Sequence, residues 1–193
     1  MAWALFERLV MEYEDSYLVE RCLEGDRSAF AIIVERYKRQ IYSVTYSMTR
    51  NHADADDLSQ DTFIRAYENL RRFNLGTNLR SWLCRIAVNL CIDHLRHKKR
   101  FPEDHLDDQP EPLSNHNLNP HNSLESNELM ENIMAAVDSL PRDQKTVVIL
   151  REMQGLALKE IAEVMKCSES TVRWRLHYAR KKLRQKLQRY VET

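Results

Sequence analysis

An all-helical chain of two small units joined by an irregular connector is what the 193-residue sequence predicts, and three observations carry it. Apolar residues recur at three- and four-residue steps through most of the chain, whereas strand-like alternation is hard to find. The three glycines, Gly25, Gly76 and Gly155, stand where a helical pattern stops. Four of the five prolines, Pro102, Pro110, Pro112 and Pro120, gather in one stretch without periodicity.

The formal charge of zero conceals an uneven layout. Residues 1–100 hold 16 Lys/Arg and 14 Asp/Glu, residues 101–140 none and 9, and residues 141–193 13 and 6, so the three stretches carry +2, −9 and +7. A basic terminal block points to nucleic acid, and an acidic middle to a spacer or a DNA mimic. The four cysteines lack paired spacing, and neither a secretory apolar region nor a membrane-length apolar run is present. A reducing cytoplasm without membrane insertion is the expectation.

In chain order, residues 1–14 form an N-terminal extension in which Leu5, Phe6 and Leu9 have helical spacing, read as a short extra helix or a mobile start. Residues 15–25 predict a short helix with Leu18, Val19, Cys22 and Leu23 inward, ended by Gly25. Asp26 or Ser28 caps the next, where Phe30, Ile33, Val34, Tyr37, Ile41, Val44 and Met48 keep the rhythm. Asn51 ends that helix and caps a third, whose opening acids Asp54, Asp56 and Asp57 suit the positive end of the helix dipole. After the break Phe73–Asn78, a fourth helix places Leu79, Trp82, Leu83, Ile86 and Leu90 inward and ends in a cationic cluster. Residues 101–124 read as a flexible acidic linker.

Helical pattern returns with Leu129, Ile133, Met134, Val137 and Leu140, and Pro141 fits the first position of the helix that follows. The densest signal runs from Gly155 to Arg189. Ile161, Ala162 and Met165 mark a short helix, Lys166-Cys167-Ser168 breaks it, and Ser168 caps a longer one carrying Val172, Leu176, Ala179, Leu183 and Leu187. The outer faces of that second helix hold Arg173, Trp174, Arg175, His177, Tyr178 and Arg180. A short helix, a tight turn and a cationic second helix are the parts that let a helix lie in a DNA major groove.

Three segments, DADDLSQDTFIRAYENLRRF, TNLRSWLCRIAVNLCIDHLR and LPRDQKTVVILREMQGLALKEIAEVMKCSESTVRWRLHYARKKL, together resemble the extracytoplasmic-function (ECF) sigma factors of bacteria, within the sigma-70 family. The resemblance spans both helical units in order. It implies a sigma-2 domain over 15–100 and a sigma-4 domain over 125–193, neither of them catalytic, that direct core RNA polymerase to promoters without a cofactor. Core binding to the clamp helices of the largest subunit is thereby carried onto Asp57, Gln60, Asp61, Phe63 and Ile64, with the beta flap as a further contact. The minus-10 element is assigned to Phe73, Asn74, Gly76, Asn78, Arg80, Arg85, Asn89 and Arg96. The minus-35 element is assigned to Ser170, Thr171, Arg173, Trp174, Arg175, His177, Tyr178 and Arg180, with Arg173 first for base reading and Arg175 and Arg180 for phosphates. An anti-sigma partner, which can hold such a factor at the membrane, is implied as well. The sequence departs from the family at Lys166, where a turn glycine is usual, at Ser170, and at Trp174, where a small polar residue is common.

Other readings remain. A helix-turn-helix regulator acting on duplex DNA without polymerase would use the C-terminal unit alone. A magnesium-dependent helical enzyme would use Asp54, Asp57 and Asp61 but needs a second acidic helix and a deep pocket. A zinc site from Cys84, Cys91, His94 and His97 matches no common spacing.

Overall fold

The computed structural model describes residues 13–101 and 123–188. The N-terminal extension up to residue 12, read as a short extra helix or a mobile start, and all but the ends of the linker lie outside the described residues. Every regular element among the described residues is helical, and the chain divides into two compact units, Met1–Leu106 and Asp107–Thr193.

The first unit contains α1 (Asp15–Leu23), α2 (Arg27–Thr49), α3 (His52–Asn69), a single 3-10 turn (Leu70–Arg72) and α4 (Leu79–Arg100). The starts of α2, α3 and α4 each follow from a short polar residue that satisfies an otherwise orphaned amide. Asp26 accepts from the Ser28 amide at 3.0 Å, Asn51 from Asp54 at 2.8 Å and Asn78 from Ser81 at 3.2 Å. The first stop uses Gly25 at φ +99°, with Asp26 N donating to Arg21 O and Gly25 N to Cys22 O, both at 3.0 Å. A side-chain carbon at Gly25 would meet nothing within 4 Å, so the backbone conformation is what calls for glycine there.

The long α2 packs on α1, α3 and α4, and α3 packs on α4. Ile33, Ile41 and Val44 of α2 and Leu83, Cys84, Ala87 and Cys91 of α4 are fully buried. This corrects the expected face of α4. Leu79, Leu83 and Leu90 are buried as expected, but Trp82 and Ile86 are only half-buried, and the buried sector extends onto Cys84, Ala87, Val88 and Cys91 because α4 touches both α2 and α3. Cysteine serves there as a small apolar residue. On α1 the expected core is narrower as well: Leu18 and Val19 are buried, Cys22 is half-buried and Leu23 is exposed. Phe30 and Val34 of α2 are likewise half-buried.

The second unit contains α5 (Ser123–Asp138), α6 (Arg142–Val148) running into a wider π-type turn (Ile149–Met153), α7 (Leu158–Met165) and α8 (Glu169–Leu187). Pro141 precedes the first helical residue instead of occupying it, and its carbonyl accepts from Lys145 N at 2.9 Å. α8 packs on α5, α6 and α7 through Val172, Leu176 and Ala179, while Leu183 and Leu187 are half-buried. Leu129 is exposed, against expectation, because α5 is buried through Met134, Ala136 and Val137 nearer its end.

Candidate nucleic-acid interface

The turn between α7 and α8 sets the aim of the longer helix. Lys166 adopts a left-handed conformation (φ 50°, ψ 48°), Cys167 N donates back to Ala162 O at 3.0 Å, and Ser168 Oγ accepts from Thr171 N at 3.2 Å. The Ser168 hydroxyl also meets Ser170 Oγ at 2.7 Å and Thr171 Oγ1 at 2.9 Å. Ser170 and Thr171 therefore help to build the helix start, and Ser170 remains exposed.

With about 100° per residue, the buried stripe Val172, Leu176, Ala179 fixes the opposite face as Ser170, Trp174, His177, Tyr178 and Lys181, all exposed. The three arginines expected to meet DNA, Arg173, Arg175 and Arg180, lie on the flanks. Arg173 makes only a long contact with Glu169, 3.7 Å, one turn back. Arg175 is half-buried, 2.5 Å from Asp143 Oδ2 and 3.7 Å from Cys167 Sγ. Arg180 donates to Glu152 Oε1 through Nε at 3.1 Å and a terminal nitrogen at 2.7 Å. The two arginines expected to hold phosphates thus both have carboxylate partners inside the unit. Neither Asp143 nor Glu152 was legible as a partner, since 32 and 28 residues separate them from their arginines and no local spacing links them.

On the first unit, Asp57, Gln60, Asp61 and Ile64 share an exposed face of α3, with Ile64 56 % accessible. Phe63, expected beside them, is buried at 8 % because its position falls on the face toward α2. It forms the floor of an open groove of about 530 Å³ lined by Arg27, Phe30, Ala31, Ile64 and Tyr67. Asp54 turns the other way, 3.1 Å from His94 Nε2 and 3.4 Å from Lys98 Nζ on α4. The three carboxylates required by the magnesium reading do not converge. The four residues of the zinc reading do not either: Cys84 and Cys91 are core, and His97 packs by Phe101 at 4.9 Å.

The loop before α4 is internally braced. Phe73 is buried edge-on against Trp82, at 5.2 Å between centroids and 60°, so its ring supports the loop and does not project from it. Asn74 Oδ1 accepts from Gly76 N at 2.9 Å, and Asn74 O accepts from Thr77 N at 2.8 Å and Thr77 Oγ1 at 2.7 Å. Asn74, Leu75, Gly76, Thr77 and Asn78 are exposed, and Leu75 was not singled out by the sequence. Arg85, Asn89 and Arg96 are exposed on α4, with Arg96 3.4 Å from Asp93. Arg80 is half-buried instead, near enough to Tyr37 for its charge to act on that phenol.

The Sigma-70 region 2 family matches residues 33–101, and the Sigma-70, region 4 family matches residues 130–183. The ECF RNA polymerase sigma factor SigW of Bacillus subtilis is 36% identical over 178 residues, covering 88% of this chain and 94% of the relative. The ECF RNA polymerase sigma-E factor of Haemophilus influenzae is 35% identical over 183 residues, covering 90% and 95%. The chain belongs to the ECF sigma factors.

Among solved structures, this sigma factor is similar to RpoE of Bartonella quintana in complex with the anti-sigma factor NepR: TM-score 0.69, 25% identity, 82% of this chain and 96% of that one. The fold also matches CnrH bound to the cytosolic domain of CnrY, with TM-score 0.70 and 24% identity over 90% and 97% of the two chains. A sigma factor is not an enzyme, so the paired charges of α3, α4 and α8 are to be understood as binding and packing groups. Among the described residues no helix is long and apolar enough to cross a membrane.

Proposed function

We propose that this ECF sigma factor divides its work between a sigma-2 domain over residues 15–100 and a sigma-4 domain over 125–193, with 101–124 as the tether and 1–14 as an extension. Asp57, Gln60, Asp61 and Ile64 of α3 dock on the clamp helices of the largest polymerase subunit, while Phe63 shapes that surface from beneath. The observation that carries this reading is the exposed face itself: three polar or acidic side chains and an apolar one on the same side of α3. A regulator reading duplex DNA alone has no use for it. A sigma-4 contact with the beta flap completes the attachment.

The separated minus-10 strand is taken by the braced loop and by α4. Asn74, Gly76 and Asn78 offer backbone and amide groups to an unstacked base, and Arg85, Asn89 and Arg96 follow the strand. Phe73 and Arg80 act from behind, as supports. α8 enters the major groove of the minus-35 duplex with Ser170, Thr171, Arg173, Trp174, His177 and Tyr178. Arg175 and Arg180 reach phosphate at the expense of their present carboxylate contacts. By analogy with RpoE and NepR, an anti-sigma factor covers the polymerase-binding surface in the cytoplasm, in some states at the membrane.

Run-off transcription with the full chain and purified core polymerase on genomic fragments tests the reading. Initiation from discrete sites is expected. Duplex binding by the chain alone, with no initiation on any fragment, would instead establish the polymerase-independent regulator.

A further inference from the structure

Trp174 occupies the centre of the face that α8 turns away from its own core. Counting 100° per residue, the buried positions Val172, Leu176 and Ala179 average to a direction almost opposite Trp174, with Ser170 and Tyr178 one turn to either side. The indole is 56 % accessible and the Tyr178 ring 41 %. Their centroids are 4.6 Å apart, and His177 stands edge-on to Tyr178 at 5.5 Å. Tyr178 therefore braces the indole from one side, leaving its outer edge toward solvent.

The arginines are displaced from that centre, and Lys181, on the same face, stands two turns further along the helix than Trp174. Arg175 and Arg180 are engaged by Asp143 and Glu152, and Arg173 lies on a flank. What α8 presents squarely in its first turns is the indole of Trp174 beside the Tyr178 ring, between Ser170 on one side and Lys181 on the other. Trp offers one indole N–H donor and no acceptor, so it reads few hydrogen-bonding patterns but can bury a large apolar area. On the major-groove floor the apolar group that distinguishes one base from the rest is the C5-methyl of thymine.

We propose that Trp174, braced by Tyr178, is the specificity-determining side chain of α8 and takes the C5-methyl group of a thymine in the upstream promoter element. The inference rests on the reading that α8 enters the minus-35 major groove. It moves the leading role in base selection from Arg173, which the resemblance favoured, to a residue at which this chain departs from its family.

The test uses holoenzyme assembled from the full chain and core polymerase, which first selects duplexes from a promoter pool randomised across the upstream element. Each thymidine of the recovered sequence is then replaced in turn by deoxyuridine, which removes the methyl and leaves the hydrogen-bonding edge intact. At one position the replacement should weaken wild-type binding roughly three- to tenfold, in line with loss of a buried methyl-sized contact. Trp174→Ala should show the same loss on the thymidine duplex and no further loss with deoxyuridine, and Trp174→Phe should restore part of the sensitivity. Indifference of the wild type to every replacement, an upstream element without thymine, or undiminished sensitivity in Trp174→Ala would overturn the inference while leaving the sigma-factor reading standing. Recovery of no duplex at all would overturn that reading, and the inference with it.

Discussion

Arg175 of α8 reaches Asp143 of α6 at 2.5 Å, a contact that ties the longest helix of the second unit to the helix two before it. The Arg175 side chain is 21 % accessible and also meets Cys167 Sγ at 3.7 Å, so the pair is better shielded than an ordinary surface ion pair. Asp143 is 44 % accessible, which limits its value to about 1 kcal/mol or less. Asp143→Ala is expected to lower the stability of the second unit by that amount, read from the urea midpoint. It should at the same time raise affinity for nonspecific duplex, because a cation is released and a surface acid removed. Weaker duplex binding at unchanged stability would show that Asp143 orients Arg175 for DNA and does not hold it away.

The Arg180–Glu152 pair makes a cleaner electrostatic test, since both partners are exposed and little packing depends on them. Glu152→Gln should strengthen duplex binding severalfold at low salt and steepen its dependence on salt concentration by about one counterion. Arg180→Ala should weaken binding evenly across sequences and flatten the same dependence. Equal salt slopes in wild type and both variants would mean that Arg180 never reaches a phosphate.

How far these features were legible in the sequence depends on their range. The caps Asn51 and Ser168, and Asp26 as one of two candidates with Ser28, were readable because a capping side chain acts on an amide two or three residues away, while the cap at Asn78 was not singled out. The buried stripe of α8 was readable for the same local reason, since periodicity fixes one face. The stripe of α4 was legible at Leu79, Leu83 and Leu90 but not at Cys84, Ala87, Val88 and Cys91, because contact with two helices at once widens the buried sector beyond one stripe. Phe63 and Phe73 were carried onto contact surfaces by the resemblance, yet both are buried: the spacing of Phe63 with Leu58, Ala66 and Leu70 already pointed inward, whereas Phe73 lies in a break where no period applies. Asp143 and Glu152 lie beyond any sequence rule, being brought to their arginines only by the packing of α6 and the turn after it onto α8.

Charge reversal on α3 should separate docking from folding. Asp57 and Asp61 are exposed and one turn apart, so Asp57→Lys with Asp61→Lys should leave helicity and melting of the unit nearly unchanged, within about 0.5 kcal/mol. Affinity for core polymerase should fall at least tenfold, measured by fluorescence anisotropy of labelled chain. Asp54→Asn serves as a contrast: its carboxylate faces His94 and Lys98, so this change should cost stability and spare the docking affinity of the folded fraction. Unchanged affinity in the double variant would remove this face from the polymerase contact.

Lys166 closes α7 in the left-handed region at φ 50°, where a side-chain carbon is unfavourable and glycine is not. The bonds Cys167 N to Ala162 O at 3.0 Å and Lys166 N to Glu163 O at 3.4 Å complete the same kind of helix ending that Gly25 makes after α1. Lys166→Gly is therefore expected to stabilise the second unit by about 1 kcal/mol, partly offset by the greater freedom of glycine in the unfolded chain. The check is a chemical denaturation curve, in which the midpoint rises with no change of slope. A lower midpoint would mean that the Lys166 side chain contributes more by its contacts than its backbone costs.

Alkali should weaken the first unit through two weak acids, one half-buried and one buried, that pull in the same direction. Burial, with a smaller contribution from Asp26, pushes the Cys22 thiol up to about 11 from its ordinary 9.0. Burial also raises the Tyr37 phenol above 10.0, helped by its hydrogen bond to Asp15 at 2.5 Å. A group whose proton is held more tightly in the folded state contributes stability that is complete below its unfolded pKa and is lost as pH rises through the folded one. The urea midpoint should accordingly be level to about pH 9 and fall between pH 9 and 11, and Cys22→Ala should remove part of that slope. Alkylation gives an independent reading of the same shift. Iodoacetamide at pH 8 should modify Cys22 at least tenfold more slowly in the folded chain than in urea, because the thiolate is the reacting form. Equal rates in the two states, or a midpoint that rises above pH 9, would mean that the Cys22 thiol is not held protonated by its surroundings.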